Sequence, residues 1–139
     1  MSDTPTVGIV LISHSRLLAE GAAEVAAQVA ANGVSIIGVG GTEDGRLGTS
    51  IDALARAIDK VAAGVGVVVI PDLGSSVLTS RSYLSDHTEF GHTELPDDVR
   101  LVDTAFVEGA VAAAVAASTG ASLGAVVAAA EEARDVRKF

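Results

Sequence analysis

His14 is the residue best placed to do chemistry in this chain. It follows an apolar run at residues 7–12, which is typical of a strand buried on both faces of a parallel sheet. Open α/β sheets place their ligand chemistry at the carboxyl ends of such strands. A histidine there can act as a nucleophile that carries a group covalently, or it can cap a backbone carbonyl. The flanking Ser13 and Ser15 do not by themselves make a catalytic triad, so both interpretations stay open.

Asp72 is the natural companion of His14. It follows a second apolar run at residues 66–70, and the two strands are expected to be neighbours in a doubly wound sheet. A carboxylate beside an imidazole fixes the ring by accepting from one nitrogen, which leaves the other nitrogen free to attack. The alternative is an ordinary turn aspartate in a Pro-Asp-x-Gly sequence. The residues alone favour neither interpretation.

Small polar residues after Asp72 form a candidate anion site. Gly74, Ser75 and Ser76 precede a helix that we expect over residues 77–84. Free backbone N–H groups at the N-terminus of a helix bind anions. We therefore expect this turn to receive a negatively charged group near His14.

A glycine-rich loop at residues 40–50 is the second segment that we expect to line the anion site. It contains no lysine, so it is not a phosphate loop, and no G-x-G-x-x-G follows the first strand. A dinucleotide site is therefore not expected. Gly40 and Gly41 can still let the loop approach an anion through its backbone amides.

Three further titratable residues lie close together in the sequence at His87, Glu89 and His92. Their spacing does not match the H-E-x-x-H zinc motif, and the segment at residues 85–98 is polar and contains a proline. We expect a solvated loop there and no metal site.

The apolar pattern predicts the elements that must position these residues. Strands are expected at residues 7–12, 34–39, 66–70 and 99–102, and helices at residues 17–31, 51–63, 77–84, 106–118 and 123–136. This alternation is typical of a doubly wound, mainly parallel four-stranded sheet with helices on both faces. We expect one α/β domain over residues 1–139.

Composition excludes several classes of function. The chain has 139 residues and no cysteine, which excludes disulfides and thiolate chemistry. Its formal net charge of −9 disfavours nucleic acid and anionic lipid as partners but is compatible with a basic protein. No signal peptide or membrane span is expected, and the cytoplasm is the default compartment.

The motifs together resemble a known family. GIVLISHS at residues 8–15, followed by LAEG at 18–21, is similar to the start of the mannose-type EIIA domains of the bacterial phosphotransferase system. GRLGTS at 45–50, DLGS at 72–75 and VEGA at 107–110 narrow the resemblance to the members that serve phosphoenolpyruvate-dependent dihydroxyacetone kinases. The resemblance covers essentially the whole chain.

The resemblance implies a phosphotransferase with a phosphohistidine intermediate. The phosphocarrier HPr would pass its phosphoryl group to Nε2 of His14, and the group would then go to ADP bound in the DhaL subunit. The ATP formed in this way on DhaL would then phosphorylate dihydroxyacetone held on DhaK. Asp72 would orient His14 by accepting from its Nδ1–H. The residues expected to surround the phosphoryl group are Gly40, Gly41, Gly74, Ser75 and Ser76.

The same resemblance implies a homodimer. We expect the transfer to need neither a metal nor a cofactor on this chain. Many relatives carry further phosphotransfer domains in the same chain, whereas this sequence stops at Phe139 and is expected to use separate ones. Three alternatives stay open. They are an EIIA domain of a mannose-type sugar transport system, a regulatory module of the phosphotransferase system, and a small-molecule binding domain in which His14 is inert.

Overall fold

Strands and helices alternate along the chain in a computed structural model, which describes residues 4–30, 33–42, 44–89 and 98–139. The strands are β1 Gly8–Ser13, β2 Ile36–Gly40, β3 Val67–Pro71 and β4 Val99–Leu101. The helices are α1 Arg16–Val29, α2 Ile51–Val61, α3 Ser75–Glu89, α4 Phe106–Ser118 and α5 Leu123–Glu132, followed by one 3₁₀ turn, Ala133–Asp135. The predicted alternation of elements is confirmed.

The four strands form one parallel sheet in the order β2-β1-β3-β4. The expected pairing of β1 with β3 is confirmed, with Ile12 opposite Pro71. The N–H of Asp72 then donates to the Ile12 carbonyl at 3.0 Å. This register carries Asp72 to the carboxyl end of β1, where the chain leaves the sheet at His14.

Helices cover both faces of the sheet, because side chains of β1 alternate between two cores. Ile9 and Leu11 pack with α1, α4 and α5 on one face. Val10 and Ile12 pack with α2 and the Tyr83 side chain of α3 on the other. All four of these β1 side chains are at most 1% exposed. The near-continuous apolar run of β1 therefore reflects burial on both faces, as predicted.

Glycines on β2 set how closely α1 approaches the sheet. A Cβ on Gly40 would lie 2.6 Å from the carbonyl carbon and oxygen of Ser15. A Cβ on Gly38, two residues earlier on the same face, would overlap the Ala19 backbone. Only glycine allows this contact, which holds the first turn of α1, and with it His14, at the end of β1.

The predicted loop at residues 85–98 is wrong for its first part. Helix α3 continues to Glu89, and residues 90–97, including His92, lie outside the described residues. The polar residues after Leu84 suggested a loop because they lack an apolar stripe. A polar stretch can continue a helix whose earlier turns are anchored, here by the buried Ser80 and Tyr83.

The last predicted helix is also shorter than expected. It ends at Glu132 rather than at residue 136, and the 3₁₀ turn follows it. Ser122 caps its N-terminus as predicted, since its side chain accepts from the N–H of Ala125 at 3.2 Å. Within the described parts of the chain, no helix has both the length and the apolar character needed to cross a membrane.

Candidate functional site

His14 lies in the turn that joins β1 to α1. The next residue, Ser15, is the N-cap of α1, and its side chain accepts from the Leu18 N–H at 3.3 Å. The His14 side chain is 37% exposed, yet its Nδ1 atom is buried. The exposure therefore belongs to the other ring atoms, and Nε2 is the nitrogen left to react.

Asp72 lies beside the buried nitrogen of His14, as the sequence predicted. Its side chain is 5% exposed, and its Oδ2 is 3.6 Å from His14 Nδ1. This distance is within the range of an ion pair but too long for a hydrogen bond. The structure brings the two residues together, but the expected hydrogen bond from Nδ1–H is not formed.

Hydroxyl and amide groups donate hydrogen bonds to the Asp72 carboxylate instead. Ser13 Oγ donates to Oδ2 at 2.6 Å, while Ser76 Oγ and the Leu73 N–H each donate to Oδ1 at 2.6 Å. Burial raises the pKa of the Asp72 carboxyl, but these donors and the nearby His14 outweigh it, so the pKa lies below its usual value. The carboxylate is therefore ionised at neutral pH.

The hydroxyl of Ser76, which is expected to contact the phosphoryl group, is engaged by groups of the protein in this structure. Ser76 is fully buried, and besides Asp72 its hydroxyl contacts the carbonyl of Leu73 at 2.9 Å. Its hydroxyl is therefore not available to a phosphoryl group. Gly74 and Ser75 are exposed at the start of α3, and among the described residues their N–H groups have no acceptor. These two amides remain candidates to bind an anion.

The loop at residues 41–50 is fastened to both sides of this site. The Gly48 N–H donates to the His14 carbonyl at 2.8 Å. The Thr49 hydroxyl contacts the Ser75 carbonyl at 3.3 Å and the Thr79 hydroxyl at 2.5 Å. We call His14, Asp72, this loop and the carboxyl ends of β1 and β3 the reactive edge.

Sequence reasoning missed the parts played by Ser13, Gly48 and Thr49. The sequence pattern raises Ser13 only as a possible member of a triad, whereas in the structure it donates to Asp72. One signal was available, because a hydroxyl at the end of an otherwise apolar strand needs a buried partner. No sequence signal linked Gly48 to His14, since that bond joins two backbone groups.

A pocket of about 580 Å³ opens beside the first turn of α1. Gly40 and Gly41 line it, as do Arg16 and Arg46. Both arginines are paired with acids, Arg16 with Glu20 at 3.4 Å and Arg46 with Asp44 at 2.7 Å. A larger pocket of about 760 Å³ lies between α4 and the C-terminal elements, but its wall is mostly valine and alanine and contains none of the residues of the reactive edge.

Three helices begin at the reactive edge, because each follows a parallel strand. They are α1, α2 and α3, and Ser15 and Ser50 cap the first two. Helix N-termini carry partial positive charge and favour anions. His87 and Glu89 lie on α3. Among the side chains that the structure describes, no group of three metal-ligating residues occurs.

Comparison with known proteins identifies the family. The sequence model named EIIA-man, described as PTS system fructose IIA component, matches residues 8–127. This chain belongs to the EIIA-man family. The resemblance inferred from the motifs around His14 is thereby confirmed.

The EIIA-man chain is also similar to phosphoryl donor subunits of dihydroxyacetone kinases. The Listeria innocua PEP-dependent dihydroxyacetone kinase 2, phosphoryl donor subunit DhaM, is 36% identical over 107 residues, which are 77% of this chain and 82% of that protein. The Lactococcus lactis phosphotransferase subunit DhaM is 32% identical over 78% of this chain and 80% of its own. The Escherichia coli DhaM is 34% identical over 77% of this chain, but the match covers only 22% of that longer protein.

A solved structure supports the predicted fold class. The crystal structure of the protein of unknown function EF1359 matches with a TM-score of 0.79 and 28% identity, over 96% of this chain and 98% of that one.

The VEGA stretch, which contributed to the resemblance, lies on α4, where Gly109 packs against the Thr104 side chain. Its glycine therefore serves helix packing.

Proposed function

We propose that this chain is a phosphoryl carrier of a dihydroxyacetone kinase in the cytoplasm. His14 accepts a phosphoryl group on Nε2 from phosphohistidine HPr and passes it to ADP bound in DhaL, which then serves DhaK. The observation that carries the proposal is that the two sides of the His14 ring differ in exposure. Its Nδ1 is buried against the Asp72 carboxylate, while the remainder of the ring is accessible.

This difference in exposure suits a nucleophilic histidine. Attack by Nε2 on phosphorus leaves the proton on Nδ1 and places a positive charge on the ring. The ionised Asp72 stabilises that charge at short range. Phosphoryl transfer depends mainly on positioning and on charge stabilisation, so the protein needs little further machinery.

The phosphoryl oxygens have suitable donors at the reactive edge. The N–H groups of Gly74 and Ser75 lie at the N-terminus of α3, which is 15 residues long. Gly40 and Gly41 line the neighbouring pocket and form the second wall. In this proposal the nucleotide belongs to DhaL, and the chain itself uses no metal or cofactor.

The surface around His14 supports docking of other proteins. Exposed leucines occur in each segment of the reactive edge: Leu17 is 74% exposed, Leu47 71% and Leu73 61%. Residues 13–18, 40–50 and 71–81 together contain three acidic and three basic residues, so the net charge of −9 lies elsewhere. An apolar, locally neutral surface favours close contact with a partner that brings its own phosphoryl group.

A sugar-transport role is the second candidate, because the family description names a fructose component. The curated relatives instead name dihydroxyacetone kinase, two of them over about four fifths of their own length. We therefore prefer the role of phosphoryl carrier for a dihydroxyacetone kinase. A homodimer is part of the proposal by family analogy, and analytical ultracentrifugation tests it.

Intact mass spectrometry tests the carrier function. The chain is mixed with phosphoenolpyruvate, enzyme I and HPr, and we expect one added, acid-labile phosphoryl group per chain. Addition of DhaL loaded with ADP should then remove it. Uptake without discharge to DhaL would favour sugar transport or regulation. No uptake from charged HPr would overturn the proposal.

Partner docking is tested by replacing one exposed leucine at a time. Leu47→Ser should raise the HPr concentration needed for half-maximal transfer by about tenfold, because apolar contacts at the centre of an interface contribute most of its energy. Val65→Ser is the control, since Val65 is 43% exposed but precedes β3 at the opposite end of the sheet. Equal effects of the two substitutions would contradict docking at the reactive edge.

A further inference from the structure

The two oxygens of Asp72 have different surroundings. Oδ1 faces α3, where it accepts from the Leu73 N–H and from Ser76 Oγ. Oδ2 faces His14, but the hydrogen bond it accepts comes from Ser13 Oγ at 2.6 Å. One oxygen anchors the carboxylate, and the other lies between a hydroxyl and the imidazole.

His14 Nδ1 is the exception in an otherwise satisfied set of polar side chains. Of the buried side-chain nitrogen and oxygen atoms in the described residues, it is the one without a hydrogen-bond partner. A buried polar atom left unpaired costs about 1–3 kcal/mol, so such an atom calls for an explanation. The nearest carboxylate oxygen, Asp72 Oδ2, is 3.6 Å away. A movement of less than about 1 Å would make the bond.

Ser13 is the residue that donates a hydrogen bond to Asp72 Oδ2 in this structure. Its side chain is fully buried at the end of β1 and has two partners. It accepts from the Ser15 N–H at 2.9 Å and donates to Asp72 Oδ2. Because the amide at the start of α1 fixes the acceptor side of the hydroxyl, its proton stays directed at Oδ2. The hydroxyl therefore holds Oδ2 at its present position, 3.6 Å from Nδ1.

We propose that Ser13 is a positioning residue that holds Asp72 Oδ2 short of His14 Nδ1 until His14 carries the phosphoryl group. The inference rests on the proposed function. In the transfer, the bond between phosphorus and the donor nitrogen breaks and the Nε2–P bond forms. The donor recovers its electron pair, and the proton stays on Nδ1.

The transfer changes what the ring offers to Asp72. A neutral imidazole is a weak competitor for the carboxylate, whereas the phosphorylated ring carries a positive charge and forms a charge-assisted hydrogen bond. Oδ2 has room for both donors, so it can move toward Nδ1 without losing Ser13. A hydrogen bond made only in the charged state stabilises that state selectively. This selectivity is what Ser13 supplies.

Ser13→Ala and Ser76→Ala make a matched pair, because each removes one hydroxyl donor from a different oxygen of Asp72. The first readout is the ¹⁵N signal of His14 Nδ1 in the resting protein, before any phosphoryl donor is added. In Ser13→Ala it should already show the hydrogen bond to Asp72. In Ser76→Ala it should stay as in the wild type.

The second readout is the equilibrium of phosphoryl exchange between HPr and this chain. In Ser13→Ala the bond exists in both states, so the equilibrium constant for uptake should fall on the order of tenfold. Ser76→Ala should change it less. Ser13→Thr keeps the hydroxyl and should restore the wild-type value. The resting Nδ1 signal, rather than this rescue, separates the positioning role from a purely structural one.

Several results would overturn the inference. One is a resting Nδ1 signal that is the same in Ser13→Ala and in the wild type, and another is an equal change in both alanine variants. If Ser13→Ala fails to fold, the wild type still decides, because its Nδ1 hydrogen bond must appear on phosphorylation. Failure of the proposed function looks different, since the wild type would then take up no phosphoryl group or would not pass it on to DhaL.

Discussion

The reactive edge and the layer formed by α1, α4 and α5 are held together by different forces. At the edge, buried serines and backbone amides fix one carboxylate and one loop through hydrogen bonds of 2.6–2.9 Å. In the layer, small alanine side chains pack against one another, and four on α4 are fully buried: Ala110, Ala113, Ala114 and Ala117. The geometry of the reactive edge is set by the directions of its hydrogen bonds, and that of the layer by the volumes of its side chains.

This difference predicts that the two regions fail separately. A lost hydrogen bond at the edge misplaces a reacting group while the core stays intact, and small misplacements are costly for catalysis. An enlarged side chain in the layer strains the core, but it removes none of the hydrogen bonds that hold Asp72. Activity and stability should therefore respond to different substitutions.

The sharpest test pairs His14→Ala with Ala114→Leu. His14→Ala should abolish phosphoryl uptake and leave the free energy of unfolding nearly unchanged, because a partly exposed turn side chain contributes little packing. Ala114→Leu should lower that free energy by about 1–3 kcal/mol through overpacking but preserve uptake per folded molecule. Intact mass and urea unfolding measure the two effects. Unfolding of His14→Ala would instead make His14 a structural residue.

The layer was largely predictable from the sequence, since periodicity and caps determine it. Residues 106–118 were predicted as a helix with the bounds that the structure shows, and Ser122 was identified as a cap. The pairing of β1 with β3 followed from the rules for doubly wound sheets, whereas the full order of the four strands was not predicted. The extension of α3 to Glu89 was missed because that stretch is polar and carries no periodic apolar signal.

The edge was only partly predictable. The pairing of His14 with Asp72 followed from strand order, but the distribution of hydrogen bonds on the carboxylate did not. Whether Ser13 or His14 donates to Oδ2 depends on a difference between 2.6 Å and 3.6 Å for two neighbouring donors. Residue types and spacing do not contain that information. The hydroxyl of Ser76 was assigned to the phosphoryl group for the same reason.

Asp72→Asn should have the next largest effect on phosphoryl transfer. An amide cannot stabilise the positive ring, so transfer to His14 should slow on the order of 10²-fold while some activity remains. The single-turnover rate from charged HPr measures this. An unchanged rate would remove Asp72 from the mechanism, and Asp103→Asn, at an exposed position after β4, serves as the control.

Two glycine substitutions test where the layer meets the edge. Gly40→Ala forces a Cβ within 2.6 Å of the Ser15 backbone, so it should destabilise the fold by about 2–4 kcal/mol and displace His14. Gly124→Ala, on α5 with no atom within 4 Å of the new Cβ, should stabilise by about 0.5–1 kcal/mol. Thermal unfolding and uptake are measured for both. Equal stabilities would show that α1 does not need glycine at this contact.

The smallest expected effect is a pH dependence that links the edge to stability. The pKa of Asp72 is lower in the folded chain than its usual value, because its hydrogen-bond donors outweigh its burial. Asp72 therefore contributes stability above the unfolded-state pKa of about 3.9, and that contribution is lost as the pH falls through the folded pKa. The difference in unfolding free energy between the wild type and Asp72→Asn should be largest near neutral pH and shrink in acid. Urea unfolding at constant ionic strength from pH 7 to pH 3 measures it. A difference that stays constant over this range would mean that the serine and amide donors hold the protonated carboxyl as well as they hold the carboxylate.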